Sequence, residues 1–115
     1  MALGFAGENA VARFLEDRGF RILEKNYECR FGEIDIIALK GDIIAFVEVK
    51  TRRTCYFPIS IAVTPSKQRK IVLTAKLFFA KQNIYDKVGR FDVATVLWES
   101  DEKYKIDYIE NAFYG

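Results

Sequence analysis

The spacing of apolar residues predicts two helices, one before and one after a central hairpin. From Leu3 to Asp17 apolar positions recur at helical intervals, and Gly19 follows where a helix would end. Thr64 and Pro65 are a typical N-cap and first helical position, and the apolar stripe behind them predicts a helix to about Asn83. The predicted buried positions are Ala6, Ala10 and Phe14 in the first helix and Ile71, Ala75, Phe78 and Phe79 in the second.

Five segments rich in β-branched and aromatic residues predict strands. Two of them flank Lys40-Gly41-Asp42, which is a hairpin signal, whereas Thr51–Val63 holds a proline and no period and predicts a loop. The resulting order αβββαββ predicts an α/β fold, a single domain over residues 1–115 with a central mixed sheet flanked by helices. The predicted strands are Phe20–Glu28, Glu33–Leu39, Ile43–Lys50, Phe91–Trp98 and Tyr104–Ile109.

The hairpin brings four charged residues together. A turn through residues 41 and 42 places Asp35 opposite Glu48, and the same register places Glu33 opposite Lys50. Because strand side chains alternate with period two, all four emerge on one face, and apolar neighbours there predict that this face is partly buried. The apolar residues on the charged face are Ile37, Leu39, Ile44 and Phe46, and those on the other face are Ile34, Ile36, Val47 and Val49.

Two opposed carboxylates point to a bound cation. The β-carbons of Asp35 and Glu48 would lie about 5 Å apart, where like charges repel. A hard divalent ion such as Mg²⁺ or Mn²⁺ would relieve that repulsion and bridge to phosphate oxygens, and Lys50 could activate water beside it. The constellation predicts metal-assisted phosphodiester hydrolysis. A surface ion-pair network is the alternative, and charges among buried apolar neighbours favour the functional interpretation.

The chain has no histidine, which removes Ser-His-Asp and Cys-His hydrolase chemistry and histidine-ligated metal sites. The remaining options are carboxylates, lysines or a hard metal ion. Cys29 and Cys55 lack Cys-x-x-Cys spacing, so we predict two buried, inert thiols.

Charge is distributed unevenly along the chain. Residues 49–85 carry eight basic and no acidic residues, whereas the remainder carries ten basic and sixteen acidic ones. Such asymmetry is typical of a polyanion-binding face or of an ordinary solvated surface. Apolar stretches such as Ile43–Val47 are far shorter than the roughly 20 residues that span a bilayer, and no signal peptide is evident, so we expect a cytoplasmic protein with no membrane partner.

The segments Gly32–Ile37 (GEIDII) and Phe46–Arg52 (FVEVKTR) resemble the signature of the YraN-like bacterial family. That family is a branch of the PD-(D/E)XK nuclease superfamily, which has the restriction-endonuclease-like fold. Further matches extend over most of the chain: Gly4, Gly7, Glu8, Gly19, Asn26, Ala62, Val63, Lys67, Gln68, Arg90, Phe91 and Asp92.

The resemblance implies that Asp35 and Glu48 are metal ligands, with the Val49 carbonyl as a third, and that Lys50 is the catalytic lysine. It also implies that Glu8 reaches the site, as an extra acid does in Holliday-junction-resolvase-like relatives. Taken as a residue alone, Glu8 could equally be a first-turn carboxylate that favours the helix dipole.

The candidates for nucleic-acid binding lie just beyond the catalytic strand or in the first turns of the second helix, whose N-terminus could itself hold a phosphate. Glu33 could serve only to orient the Lys50 ammonium, and the role of Gln68 is left open. The binding candidates are Arg52, Arg53, Lys67 and Lys70.

We therefore predict a metal-dependent, endonuclease-like protein that acts on nucleic acid, with DNA favoured, in repair or recombination-type processing. The alternatives are a non-catalytic nucleic-acid-binding or adaptor protein that keeps the fold, and a protein-interaction domain. Because nucleases of this size often dimerise to cut two strands, a homodimer is a further option.

Overall fold

The computed structural model describes residues 3–53 and 63–115. Within those ranges the chain forms two helices and five strands in the predicted order αβββαββ, and neither helix is long and apolar enough to cross a bilayer. The elements are α1 (Leu3–Asp17), β1 (Arg21–Cys29), β2 (Gly32–Lys40), β3 (Ile43–Arg52), α2 (Pro65–Lys81), β4 (Val88–Trp98) and β5 (Tyr104–Phe113).

The differences from prediction lie at the ends of the strands. Thr51 and Arg52, predicted to begin a loop, extend β3 because both remain paired with β4. β4 likewise begins at Val88 rather than Phe91. Main-chain pairing thus continues into segments whose side chains show no strand period, and residues 54–62 of the predicted loop lie outside the described residues.

The five strands form one mixed sheet in the order β1-β2-β3-β4-β5. Neighbouring strands are antiparallel, except that β3 and β4 run parallel. α2 forms part of the crossover between those two strands, which a parallel pair requires. Thr64 caps this helix as predicted, since its side chain accepts the Lys67 N–H at 3.2 Å. The predicted mixed sheet is confirmed.

α1 and α2 cover opposite faces of the sheet. Alternate residues of β3 point to the two sides, so Ala45 and Val47 pack in the cluster under α1, whereas Ile44 and Phe46 pack in the cluster under α2. The apolar stripe predicted for α2 is confirmed at Ile71, Ala75 and Phe78. In α1 the most deeply buried residues are Val11 and Leu15, which flank the predicted stripe.

The sheet splits between β2 and β3. The predicted hairpin register holds from Lys40–Ile43 to Ile36–Val47, where the ladder between the two strands stops. Beyond that pair β2 continues along β1, and β3 continues along β4. The predicted ladder pairs of Asp35 with Glu48 and of Glu33 with Lys50 are therefore wrong.

The split also changes which residues share a face. Ile36 packs under α1 as predicted, but Ile34 packs with Ile37 under α2. The prediction that Ile34 and Ile36 share a face is wrong, because the simple alternation of the strand is lost at Asp35 between them. Cys29, predicted to be buried, is partly exposed: its Sγ donates to Thr74 Oγ1 at 3.4 Å. Cys55 lies outside the described residues.

Asp92 organises a buried polar network where the ladder between β4 and β5 shifts register. Its fully buried carboxylate contacts Arg90 through both oxygens, at 3.0 and 3.2 Å from Nε. It also accepts the Tyr108 hydroxyl at 2.6 Å and the Asn111 N–H at 3.0 Å. Because every charge in the network has a partner, Asp92 stabilises the fold.

Replacement of Asp92 by Ala should lower the free energy of unfolding by about 3–5 kcal/mol, because it leaves the Arg90 guanidinium buried without its main partner. Urea unfolding monitored by circular dichroism measures this loss. The matched control is Asp101→Ala, which removes an ion pair with Arg53 that is exposed on both sides and should cost less than about 1 kcal/mol. Equal losses in the two variants would contradict the assignment.

Candidate functional site

Asp35 lies where β2 separates from β3, and its side chain takes a main-chain hydrogen bond at that point. Its Oδ2 accepts the Val49 N–H at 2.7 Å. At the same level of β1, Asn26 has a φ of 53°, a left-handed conformation that Asn adopts more readily than most residues. Asp35 is thereby held in the gap between the two strands.

Glu48 projects from β3 on the face covered by α2. Its side chain is only 7% exposed, and the Lys67 ammonium lies 3.1 Å from its Oε2. Burial by itself lowers the pKa of Lys67, but the charge and hydrogen bond of Glu48, together with the charge of Asp35, act in the opposite direction and the net pKa is raised. A lysine that is itself half exposed therefore compensates a buried carboxylate.

The carboxyl groups of Asp35 and Glu48 lie within hydrogen-bonding reach of each other. Burial raises the pKa of Asp35, and the hydrogen bond to Glu48 and its charge raise it further, to about 7. The Val49 N–H and the Lys67 ammonium act in the opposite direction. The structure thus brings these two predicted residues together, and the raised pKa of Asp35 indicates that a negative charge there is unfavourable unless a cation offsets it.

Lys50 follows Glu48 on β3, and its ammonium lies near both Glu48 and Lys67. Burial lowers the pKa of Lys50; Glu48 opposes that effect, and Lys67 adds to it. A lysine with a lowered pKa exchanges protons more readily near neutral pH than an exposed one. On β4 the neighbour of Lys50 is Thr95, whose buried hydroxyl has no hydrogen-bond partner among the described residues.

α1 brings Glu8 to Asp35. Gly7 packs so closely on Thr51 that a β-carbon at position 7 would overlap the Thr51 hydroxyl. Burial raises the pKa of Glu8 and the charge of Asp35 raises it further, whereas a hydrogen bond to Asn26 lowers it. Because the first turn of α1 holds no acidic residue, the helix-dipole interpretation of Glu8 is wrong.

These residues fit a hard divalent cation. The described part of the chain contains no group of three or more His, Cys, Asp or Glu side chains arranged as a complete ion cage. Asp35 and Glu48 instead offer two carboxyl groups, a number that Mg²⁺ commonly uses while it keeps several waters. Glu8 Oε1 is buried near Asp35 and has no hydrogen-bond partner within residues 3–53 and 63–115. The Val49 N–H donates to Asp35. The role of the Val49 carbonyl as a metal ligand stays a prediction.

The four basic residues predicted to bind nucleic acid do not form one set. Arg52 and Arg53 are exposed at the end of β3, and Arg53 forms a 3.2 Å ion pair with an exposed aspartate. Lys67 contacts Glu48 inside the site. Lys70 lies one turn further along α2 and, with Lys67, lines a cavity of about 280 Å³ near the start of that helix.

Glu33 and Gln68 lie outside the carboxyl pair. Glu33 is exposed and pairs across the ladder with Glu28 of β1, so it does not face Lys50 in a ladder as predicted. The Gln68 side-chain amide donates to the Val63 carbonyl at 3.1 Å, which holds the chain just before α2. Gln68 therefore has a structural contact that the sequence left open.

Sequence reasoning missed two contacts of the site. Asn26 lies beside Glu8 and lowers its pKa, and the sequence signal for a special position was the tolerance of Asn for left-handed backbone. Lys67, a predicted nucleic-acid contact, contacts Glu48 in the structure. The sequence feature that could have indicated this contact is a lysine in the first turn of α2. The helix dipole disfavours positive charge there, and the turn holds no acidic residue to offset it.

A chain with this sheet and paired carboxyl groups is an α/β protein with a candidate acidic centre. The family described as "Uncharacterised protein family UPF0102" matches residues 7–96. The UPF0102 protein of Clostridium perfringens strain 13 is 43% identical over 114 residues, which cover 97% of this chain and 93% of that protein. A UPF0102 protein of Alkaliphilus metalliredigens is 44% identical over 113 residues and 97% of each chain. This chain belongs to the UPF0102 family.

The raised pKa of Asp35 predicts a specific dependence of stability on pH. Since its pKa is about 7 in the folded protein against 3.8 for an unperturbed aspartate, the folded state holds this proton more tightly. The resulting stabilisation is fully present below about pH 4 and is lost as pH rises through 7, with a slope of at most about 1.4 kcal/mol per pH unit.

Urea unfolding in chelator between pH 4 and 8 measures this dependence. Asp35→Asn should reduce the loss seen in the wild type, because only the contribution of Glu8, whose pKa is also raised, remains, whereas Glu33→Gln, an exposed change on the same strand, should keep the full loss. Parallel curves for the wild type and Asp35→Asn would refute the assignment.

Proposed function

We propose that this chain is a metal-dependent, endonuclease-like protein that hydrolyses phosphodiester bonds of nucleic acid, with DNA favoured, in repair or recombination-type processing. The observation that carries the proposal is the pair of Asp35 and Glu48 carboxyl groups, held together in the split of the sheet beside Lys50. A half-buried Asp35 carboxyl group beside a buried Glu48 carboxyl group is an arrangement that a divalent cation would stabilise.

The proposed fold is the restriction-endonuclease-like one. The element order αβββαββ, the antiparallel strands β1 to β3 and the parallel pair of β3 with β4 support it. The position of the acidic residues at the split of the sheet also supports this fold. An extended phosphate backbone can reach groups that lie in a cleft between strands. UPF0102 membership is consistent with the sequence signature that suggested this fold.

Each residue has a proposed role. Asp35 and Glu48 would hold Mg²⁺ or Mn²⁺, with Glu8 as a further acid beside them. When bound, the ion supplies Lewis-acid charge to the phosphoryl group. Lys50, partly buried next to Glu48, would orient and deprotonate the attacking water or neutralise the phosphate. The Val49 N–H keeps the Asp35 carboxyl group in one orientation.

Cleavage assays test the proposal directly. We expect cutting of at least one member of a panel of single-stranded, duplex, flapped and four-way-junction DNA and matched RNA, with Mg²⁺ or Mn²⁺ and not with chelator. Asp35→Asn should lower the rate by about 100-fold or more, since it removes a ligand charge. Glu33→Gln is the control and should cut at the wild-type rate. No cutting of any substrate would reject the enzymatic role.

Catalysis and binding should respond to different residues. Lys50→Ala is expected to lose cleavage by about 100-fold while nucleic-acid affinity stays near wild type. Arg52→Ala should instead weaken binding and reduce the slope of log affinity against log salt by about 1. Gel-shift titrations at several salt concentrations beside single-turnover cleavage separate the two effects. Equal loss of binding in both variants would contradict the division.

A non-catalytic nucleic-acid-binding or adaptor protein is the second candidate. The ion pair between Lys67 and Glu48 favours it, because the buried carboxylate is compensated without a metal. Salt-sensitive binding in the absence of metal-dependent cleavage would establish this function.

A further inference from the structure

Glu48 has a charge partner that comes from outside the buried core. The Glu48 side chain is 7% exposed, whereas that of Lys67 is 41% exposed, and their charged atoms lie 3.1 Å apart. An ionised carboxylate buried to this degree needs a compensating charge. Lys67 provides it through a long, flexible side chain.

The helix alone does not account for the position of Lys67. It lies in the first turn of α2, where the exposed N–H groups of the helix repel a cation, and that turn holds no acidic residue. The ammonium of Lys50 lies close by as well. Attraction to Glu48 is therefore what holds the Lys67 ammonium at the site.

Lys67 also has room to move away from Glu48. Its side chain lines a cavity of about 280 Å³ between the start of α2 and the beginning of β2, together with Gly32, Glu33, Thr64, Ser66, Lys70 and Ile71. A partly exposed lysine beside open space can change rotamer without disturbing the core.

We propose that Lys67 is a resident counter-ion of Glu48 that a divalent cation displaces when it binds. This inference rests on the proposed function, since it assumes that Glu48 is a metal ligand. Lys67 holds the buried carboxylate in place before the metal arrives, and it lowers metal affinity because like charges compete for one carboxylate. It is a positioning residue.

Binding of Mn²⁺ alone tests the proposal, measured at pH 7.5 by electron paramagnetic resonance of free Mn²⁺ and by calorimetry. Lys67→Gln should tighten Mn²⁺ binding by about 5- to 150-fold, the usual range for coupled sites. Lys67→Arg keeps the charge and should stay within about twofold of wild type. Lys76→Gln is the matched control, because it removes one exposed charge from the same helix outside the cavity and should leave affinity unchanged.

The outcomes separate this inference from the proposed function. Wild-type binding that Asp35→Asn abolishes, together with tightening by Lys67→Gln alone, supports the displacement. Unchanged or weaker binding in Lys67→Gln, or equal tightening in Lys76→Gln, overturns the inference and leaves the metal site standing. Absence of Mn²⁺ binding in the wild type and in Lys67→Gln overturns both.

Discussion

The hydrogen bond from the Val49 N–H to the Asp35 carboxyl group links β2 to β3 just beyond the end of their main-chain ladder. From that point β2 follows β1 and β3 follows β4, which opens the sheet. A side chain that accepts a main-chain N–H satisfies a donor that the missing ladder would otherwise leave unpaired. The opening then gives both helices access to one place, since α1 brings Glu8 and α2 brings Lys67.

Asp92 and Asp35 occupy similar positions in the sheet, but one stabilises the fold and the other belongs to the candidate site. Each accepts a main-chain N–H at an irregularity of a ladder, from Asn111 and Val49 respectively. Asp92 is then fully satisfied by Arg90 and a tyrosine hydroxyl. Asp35 meets a second carboxyl group instead, so its pKa is raised to about 7. A buried carboxylate that contacts groups of opposite charge stabilises the fold. A buried carboxyl group that meets a like charge instead leaves a repulsion that a bound cation would relieve.

Much of the molecule was predictable from residue patterns. Helix α1, the N-cap at Thr64, the hairpin register from residues 36–40 to 43–47 and the mixed sheet all follow from local periodicity and turn chemistry. The pairing of Asp35 with Glu48 was predicted as well, but for the wrong reason. The predicted ladder pair does not form, because the ladder between β2 and β3 ends at Ile36 and Val47. The two side chains meet just beyond that end.

The sequence by itself determined the elements and the residue types of the site, because helical and strand periods are local and the absence of histidine limits the chemistry. Tertiary structure decided where the sheet opens, which carboxyl groups meet and which lysine neutralises Glu48. Those outcomes depend on contacts between residues far apart in the chain: Gly7 on Thr51, Asn26 beside Glu8, and Lys67 on Glu48. Burial and Coulomb interaction set the charge state of these groups, and neither can be read from the order of residues alone.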